Sequence, residues 1–418
     1  MTRLLYDIAI QLLGIILFMG GLFHEKTRKR WKLQKNWKNH LPKEPVDLWV
    51  HCASLGEFDQ GLPIMWAYRN DFPAAKIMVS FFSPSGYEHY HKRNHCVDYA
   101  CILPLDTRNN AVYFLEKTQP KMALFVKYEY WLNFIFAIHK KNIPIYAAAA
   151  LFQQNHPAFK PWGGIFRRGL RKFSFFFVQN EDSKTLLKGI GIHQVSVVGD
   201  PRFDNVVGQK RHHEQQENSD ENLSELHKIC ENQRVLIVGS SWKKEEEILC
   251  EVLDPLPFDT IILAPHNVSD AHLSEIETLF GPNCCRLSHI KDYQQEPIIL
   301  VDSIGLLHQL YRLGSMALVG GGFTGRLHNI LEPAAYGLPV VFGPKIGHVP
   351  EAKLFIEQGI AKTFSNEEEL LSAIQGLLVS LEERKSRATN LMLEQCGATQ
   401  KIMHALKSRP AYRAAPSN

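Results

Sequence analysis

No C-x-x-C pair occurs among the eight cysteines, which lie at 52, 96, 101, 230, 250, 284, 285 and 396. Zinc sites need ligands at short, regular spacing and disulfide scaffolds need a dense framework, so neither is expected. Reduced, mostly buried thiols in a cytosolic body fit the scatter better. An excess of one charge is also missing. Lys and Arg number 47 against 43 Asp and Glu, and the net charge of +4 does not make the whole molecule a nucleic-acid binder. The P-loop spacing is absent, and the glycines at 320, 321 and 322 do not spell the dinucleotide fingerprint. No short-period repeat is present. What remains is a globular composition, 45% apolar and 22% charged, over 418 residues, which predicts two domains rather than one core.

Long apolar runs are scarce except at the start. Leu4 to Phe23 is apolar apart from Asp7 and Gln11, and spans a bilayer's worth of residues only when counted across both; the unbroken part, Leu12 to Phe23, is too short. No small-x-small cleavage site follows. Lys26, Arg28, Lys29, Arg30, Lys32, Lys35 and Lys38 come next, against the single acid Glu25 and with Trp31 and Trp37 among them. Such a block suits anionic headgroups, with indoles at the interface and the rest of the chain in the cytoplasm. Residues 1–40 are therefore expected to anchor in or dip into a membrane; a soluble helix packed on the body is the alternative.

From Val46 onward, short apolar runs alternate with helix-length segments, the signature of a parallel sheet covered on both faces. Strands are expected at Asp47–Cys52, Lys76–Phe82, Ala123–Lys127, Pro144–Ala148, Phe175–Val178 and Val195–Val198. After a polar stretch at 209–222, expected to be a linker, they resume at Arg234–Ser241, Thr260–Pro265, Ile298–Val301, Met316–Val319 and Val340–Phe342. The expected fold class is α/β, with two doubly wound Rossmann-like halves at 41–208 and 223–390 whose strand ends face a cleft. Residues 366–406 read as helical, 391–418 as a terminal helix and tail, and Pro410 onward as frayed.

Chemistry is expected where these strands end. Ser54-Leu-Gly-Glu57 follows the first strand and reads either as a capping box or as a general base, Glu57, beside a glycine that admits substrate. Lys127 and Glu129, in Lys127-Tyr-Glu-Tyr-Trp131, follow another strand and suit an internal ion pair or a polar ligand; Asp106 reads as a turn former. In the second half, Ser240, Ser241, Pro265, His266 and the Asp302-Ser-Ile304-Gly305 turn close strands. Val319-Gly-Gly-Gly322 reads through His328 toward a helix start, with Asn329 and Glu332 in its first turn. Small hydroxyls, open N–H groups and a helix N-terminus favour an anion, and Glu332 suits ribose hydroxyls. A nucleotide-sugar donor fits this set better than ATP or NAD.

Ser54-Leu-Gly-Glu57, Ser83-Pro-Ser-Gly86, Pro104-Leu-Asp106, Glu129-Tyr-Trp131 and His328-Asn-Ile-Leu-Glu-Pro-Ala334 occur here in an order that resembles the 3-deoxy-D-manno-octulosonate (Kdo) transferases of lipopolysaccharide assembly. The likeness runs from the N-terminus to about Gly359. It implies a GT-B fold and an inverting transfer of Kdo from CMP-Kdo to a lipid A precursor, with no metal or other cofactor. It also implies Glu57 as catalytic base, with Glu129 as the matching second carboxylate. Donor contacts would come from Pro265-His266, Ile304-Gly305-Leu306 and Asn329-Ile330-Leu331-Glu332. The chain departs from the family pattern at three of these places. His266 stands where Arg is usual, Leu306 where an acid is common, and Lys127 where the first acid of Glu-x-Glu-Leu-Trp would be. A GT-B enzyme using a UDP-sugar, and a non-catalytic membrane-tethered relative, are the competing readings.

Overall fold

The computed structural model describes residues 3–127, 129–215, 220–347 and 349–413. Two compact units emerge, Met1–Asn205 with Gln395–Asn418, and Val206–Glu394. In the first, β1 (Leu48–Cys52), β2 (Ile77–Phe81), β3 (Tyr99–Ile102), β4 (Met122–Val126), β5 (Ile145–Ala150), β6 (Phe175–Val178) and β7 (Val195–Val197) form one parallel sheet in the order β3-β2-β1-β4-β5-β6-β7. Every residue of β1, β2, β4 and β5 is buried, as unbroken apolar runs demand of strands covered on both faces. The winding reverses between β1 and β4. Ligands of such sheets bind beyond the carboxyl ends of the strands at that reversal.

The second unit repeats the plan. β8 (Val235–Ser241), β9 (Thr260–Pro265), β10 (Cys284–Arg286), β11 (Ile298–Leu300), β12 (Met316–Val319), β13 (Val340–Phe342) and β14 (Ala361–Thr363) pair in parallel as β10-β11-β9-β8-β12-β13-β14. Its reversal lies between β8 and β12. Three strands not anticipated from sequence, β3, β10 and β14, are all sheet edges of three or four residues. An edge strand meets solvent along one side, so it needs no long apolar run. No cysteine is in a disulfide.

The N-terminus differs most from expectation. Helix α1 (Arg3–Phe23) is long and apolar enough to cross a membrane by length and composition. Its polar face, however, is tied to the first unit. The Tyr6 hydroxyl donates to Asp106 Oδ2 at 2.6 Å, Asn133 Nδ2 donates to Asp7 Oδ1 at 2.8 Å, and Arg3 Nη2 donates to Asn133 Oδ1 at 3.1 Å. A Cβ on Gly14 would come within 2.8 Å of the Leu105 side chain. Leu4, Ile8, Leu12, Ile15, Met19 and Leu22 form the opposite, exposed stripe. Asp106 is thus no simple turn former. Fully buried, it also accepts from Asn133 N and Phe134 N, both at 2.9 Å, capping the helix Leu132–Lys140.

The basic block forms helix α2 (Glu25–Lys35), and two of its expected interfacial groups are inside instead. Trp37 packs on Tyr113 and Phe114, and Arg30 is 4% exposed. Of the stretch expected to be a linker, residues 209–214 finish the helix Pro201–Glu214, and Asp220 caps the helix Glu221–Ile229. Long polar side chains are good helix formers and need no apolar face when exposed. Residues 216–219 lie outside the described set.

The C-terminal helices end on the first unit. Ile402, Met403 and Leu406 of the helix Ala398–Lys407 join the core around Leu62, Met65 and Tyr68. The Asp204 carboxylate holds that helix start, accepting from Gly397 N at 2.6 Å and Thr399 N at 2.9 Å. Pro410–Arg413 is helical rather than frayed, because Tyr412 buries its ring against Tyr68 and Phe72 and donates to Asp71 at 2.5 Å. Residues 414–418 lie outside the described set.

Candidate active site

In the first unit the site grows from the ends of β1, β2 and β4, on both sides of the reversal. Helix α3 (Leu55–Asp71) starts directly after β1, with Ser54 as its N-cap. Ser54 Oγ accepts weakly from Glu57 N at 3.4 Å, but the Glu57 carboxylate turns back to accept from Ala53 N–H, one residue before the cap. That places the carboxylate over the strand end at 7% exposure. Burial, with the charge of Glu129 adding to it, pushes Glu57 up to about 7 despite the opposing pull of its backbone donor and of Lys127. A Cβ on the neighbouring Gly56 would meet nothing within 4 Å.

Glu129 is held from behind. The Trp131 indole N–H lies 3.0 Å from its Oε2 and 3.2 Å from His51 Nε2. Since His51 Nε2 accepts there, its proton sits on Nδ1, where the Ser80 carbonyl and hydroxyl lie at 3.2 and 2.9 Å. Lys127 adopts φ 69°, an unusual conformation for a lysine that turns the chain sharply off β4. Phe82, just past β2, stacks on Trp131 with centroids 4.9 Å apart and lies 3.5 Å from the Arg30 guanidinium carbon. Burial lowers Arg30 to about 10, and the charge of Glu129 opposes the shift. Its Nε and Nη1 are buried without a hydrogen-bond partner among the described residues. Reading Arg30 as one member of a block that meets anionic headgroups missed this, because a run of cations does not distinguish the one that turns inward.

In the second unit the structure redistributes the expected donor groups. Ser240, at φ 54°, is the last residue but one of β8, whereas Ser241, which ends the strand, is fully buried and donates to Glu246 at 2.8 Å. Ser241 is therefore engaged in the core rather than presented outward. The three glycines after β12 serve tight packing. A Cβ on Gly320 would fall 2.1 Å from the Ser240 carbonyl oxygen, and one on Gly321 would fall 2.2 Å from that of Arg326, at φ 88°. The N–H groups of the first two are taken, Gly320 N by Gly239 O at 2.9 Å and Gly321 N by Glu245 Oε1 at 2.8 Å. This is not the open anion cradle that the glycines suggest.

The helix there begins at Leu331, not His328, and has five residues. Ile330 and Leu331 are core side chains, so their side chains are not open to a ligand. Asn329 donates to Glu332 Oε1 at 2.9 Å and its own Oδ1 accepts from Leu331 N at 3.1 Å, a pair set at the carboxyl edge of the sheet. Gly305, at φ 95°, turns the loop after β11, where Ile304 is 73% exposed and Leu306 half-buried.

Trp242 was not anticipated. Its indole stacks on His266, which follows Pro265 at the end of β9, with centroids 4.5 Å apart and planes 18° apart. Its N–H donates to His328 Nε2 at 3.2 Å, and His266 and His328 lie 4.6 Å apart. Burial and the neighbouring His266 push His328 down to about 4, which keeps it neutral as an acceptor. Three flat rings thus form a platform where β8, β9 and β12 end.

Two parallel seven-stranded α/β units with polar clusters at their winding reversals are the GT-B architecture. UDP-GlcNAc 2-epimerase of Neisseria meningitidis shares it at TM-score 0.60, with 15% identity over 87% of this chain and 100% of that one. MurG of Acinetobacter baumannii does so at 0.53, with 13% identity over 87% and 100%. Residues 25–205 match the 3-deoxy-D-manno-octulosonic-acid transferase (kdotransferase) family. The 3-deoxy-D-manno-octulosonic acid transferases of Aquifex aeolicus and Haemophilus influenzae are similar over nearly all of the chain. The first is 27% identical over 86% of this chain and 95% of that one, the second 24% over 94% and 95%. A bifunctional glycosyltransferase/methyltransferase of Fusobacterium nucleatum is 26% identical over 84% of this chain, which spans 56% of that longer protein. The chain is similar to the Kdo transferases over most of its length, and it is a glycosyltransferase.

Proposed function

We propose that this enzyme moves Kdo from CMP-Kdo to a hydroxyl of a lipid A precursor in lipopolysaccharide biosynthesis, with inversion at the anomeric carbon. The observation that supports this most is Glu57, a buried carboxylate titrating near 7 at the carboxyl end of β1. A general base works best with a pKa close to the operating pH. Glu57 takes the proton of the attacking hydroxyl as its oxygen bonds to the anomeric carbon. The bond from that carbon to the CMP phosphate oxygen breaks, and its electron pair leaves with CMP. Glu129 keeps Glu57 basic by its charge, and Arg30 offsets the two carboxylates from across the Phe82 ring. On the donor unit, the Trp242–His266–His328 platform suits stacking against a flat base, Asn329 and Glu332 suit ribose hydroxyls, and His266 when protonated suits a phosphate.

The enzyme would work at the inner membrane, its body on the cytoplasmic side and anionic lipids around it. Because α1 from Arg3 to Gly14 is fixed to the body, hydrocarbon can surround only about the last nine residues, roughly 14 Å of helix against a core of about 30 Å. Lying in the interface with its apolar stripe immersed fits this better than spanning.

A GT-B enzyme using a UDP-sugar is the competing reading, and thermal unfolding separates the two. CMP should raise the melting temperature and UDP should not. Glu332→Ala should weaken CMP protection by roughly tenfold in half-saturating concentration, the loss of one or two hydrogen bonds to a charged acceptor. Protection by UDP but not CMP would overturn the donor assignment.

A further inference from the structure

The first unit carries a second cluster of cations that uses no residue of the Glu57 site. Arg3 of α1 and Arg168, Arg171 and Lys172, on and just past the helix Gly164–Leu170, surround a cavity of about 340 Å³ floored by Phe136 and Ile165. None of the four forms an ion pair among the described residues. Three are nevertheless held in place by neutral groups. Arg3 donates to Asn133 Oδ1 and lies 5.0 Å from the centre of the Phe136 ring, Arg171 Nη2 donates to Ile190 O at 2.9 Å, and Lys172 Nζ donates to His139 Nε2 at 3.2 Å.

Four like charges gathered without a counterion repel one another, and an anion placed among them relieves that repulsion. Two exposed arginines with planar donor forks favour an oxyanion with several acceptor oxygens, for which a phosphate monoester is the natural fit. The apolar floor calls for more than a bare ion. So does the position of the cavity, whose Arg3 directly precedes Leu4, the first residue of the exposed apolar stripe of α1.

We propose that this cavity is a binding site for the phosphate headgroup of an amphiphile, its apolar portion resting on Phe136 and Ile165. The site lies beside the Arg3 end of α1, and it is separate from the groups that would perform transfer.

The test is isothermal titration calorimetry of the full-length protein in a neutral detergent, with dihexanoyl phosphatidic acid below its micelle concentration as the probe. Saturable binding is expected for the wild type and for Lys29→Ala/Lys32→Ala, which changes exposed cations of α2 only. Arg168→Ala/Arg171→Ala, both at the surface, should fold normally by circular dichroism and bind roughly tenfold more weakly. Equal affinity of that double variant, or equal binding of dihexanoyl phosphatidylcholine, would overturn the anion site. Inorganic phosphate binding as tightly as phosphatidic acid would overturn the amphiphile and leave a free-phosphate site.

Discussion

Glu57→Gln is expected to lower transfer by about 10²–10⁴-fold, the usual contribution of a positioned general base, while leaving the protein folded. Glutamine keeps an oxygen for the Ala53 N–H and loses only the ability to take a proton. The wild-type pH profile of kcat/KM should rise through about 7, since the carboxylate acts when ionised, and the residual activity of the variant should lack that inflection. Stability should move the other way. A carboxyl whose folded pKa is raised from 4.5 to about 7 contributes stability that is fully present below about pH 4.5 and lost as pH rises through 7. At pH 8 the buried charge costs up to about 3 kcal/mol. The variant should therefore melt higher than wild type at pH 8, and the gap should close at pH 4.5. Thermal denaturation at the two pH values, beside the rate profile, checks both. An inactive variant that is also destabilised at pH 8 would mean Glu57 serves the fold instead.

The largest effect on stability is expected at Asp106. Its removal as Asp106→Ala leaves three buried donors, the Tyr6 hydroxyl and the N–H groups of Asn133 and Phe134, without their acceptor. At about 1–3 kcal/mol for each unsatisfied group, a loss of roughly 4 kcal/mol is expected. Tyr6→Phe removes two hydrogen bonds, the one donated to Asp106 and the longer one accepted from Leu132 N at 3.3 Å, and should cost less, about 2 kcal/mol. Because these bonds fasten α1 and the start of the helix Leu132–Lys140 to each other, Asp106→Ala should also make α1 accessible to protease well below the melting temperature. Chemical denaturation gives the size of the loss, and limited proteolysis followed by mass spectrometry shows where the chain opens. A variant with unchanged midpoint and an uncut α1 would show that the apolar contacts of Tyr6 and Ile10 alone hold the helix.

The central strands were legible because a parallel sheet covered on both faces demands what Leu48–Cys52 or Ile145–Ala150 display, apolar side chains with no alternation. Cys284–Arg286 and Ala361–Thr363 were not, since an edge strand of three residues carries no such pattern. At the site, Ser54-Leu-Gly-Glu57 was readable through its spacing and resemblance, yet the direction of the Glu57 carboxylate was not. The capping-box grammar would send it to Ser54, and it bonds to Ala53. Gly320 and Gly321 showed the reverse problem. Their sequence suggested an open phosphate turn, while the carbonyl oxygens of Ser240 and Arg326 explain why no larger residue fits. Arg30 and Trp242 act through long-range neighbours, Phe82 and His328, that no local window contains. The polar helix through Glu214 and the buried Tyr412 were hidden for a related reason, because their partners or their solvent exposure are set by distant parts of the fold.

Full-length protein incubated with CMP-Kdo and a tetraacylated lipid A precursor, with products followed by mass spectrometry, tests the central claim most directly. The acceptor should gain Kdo as CMP is released in equal amount, and Glu57→Gln should show neither at wild-type enzyme concentration. Release of UDP from a UDP-sugar with no CMP from CMP-Kdo, or undiminished Kdo transfer by Glu57→Gln, would contradict it.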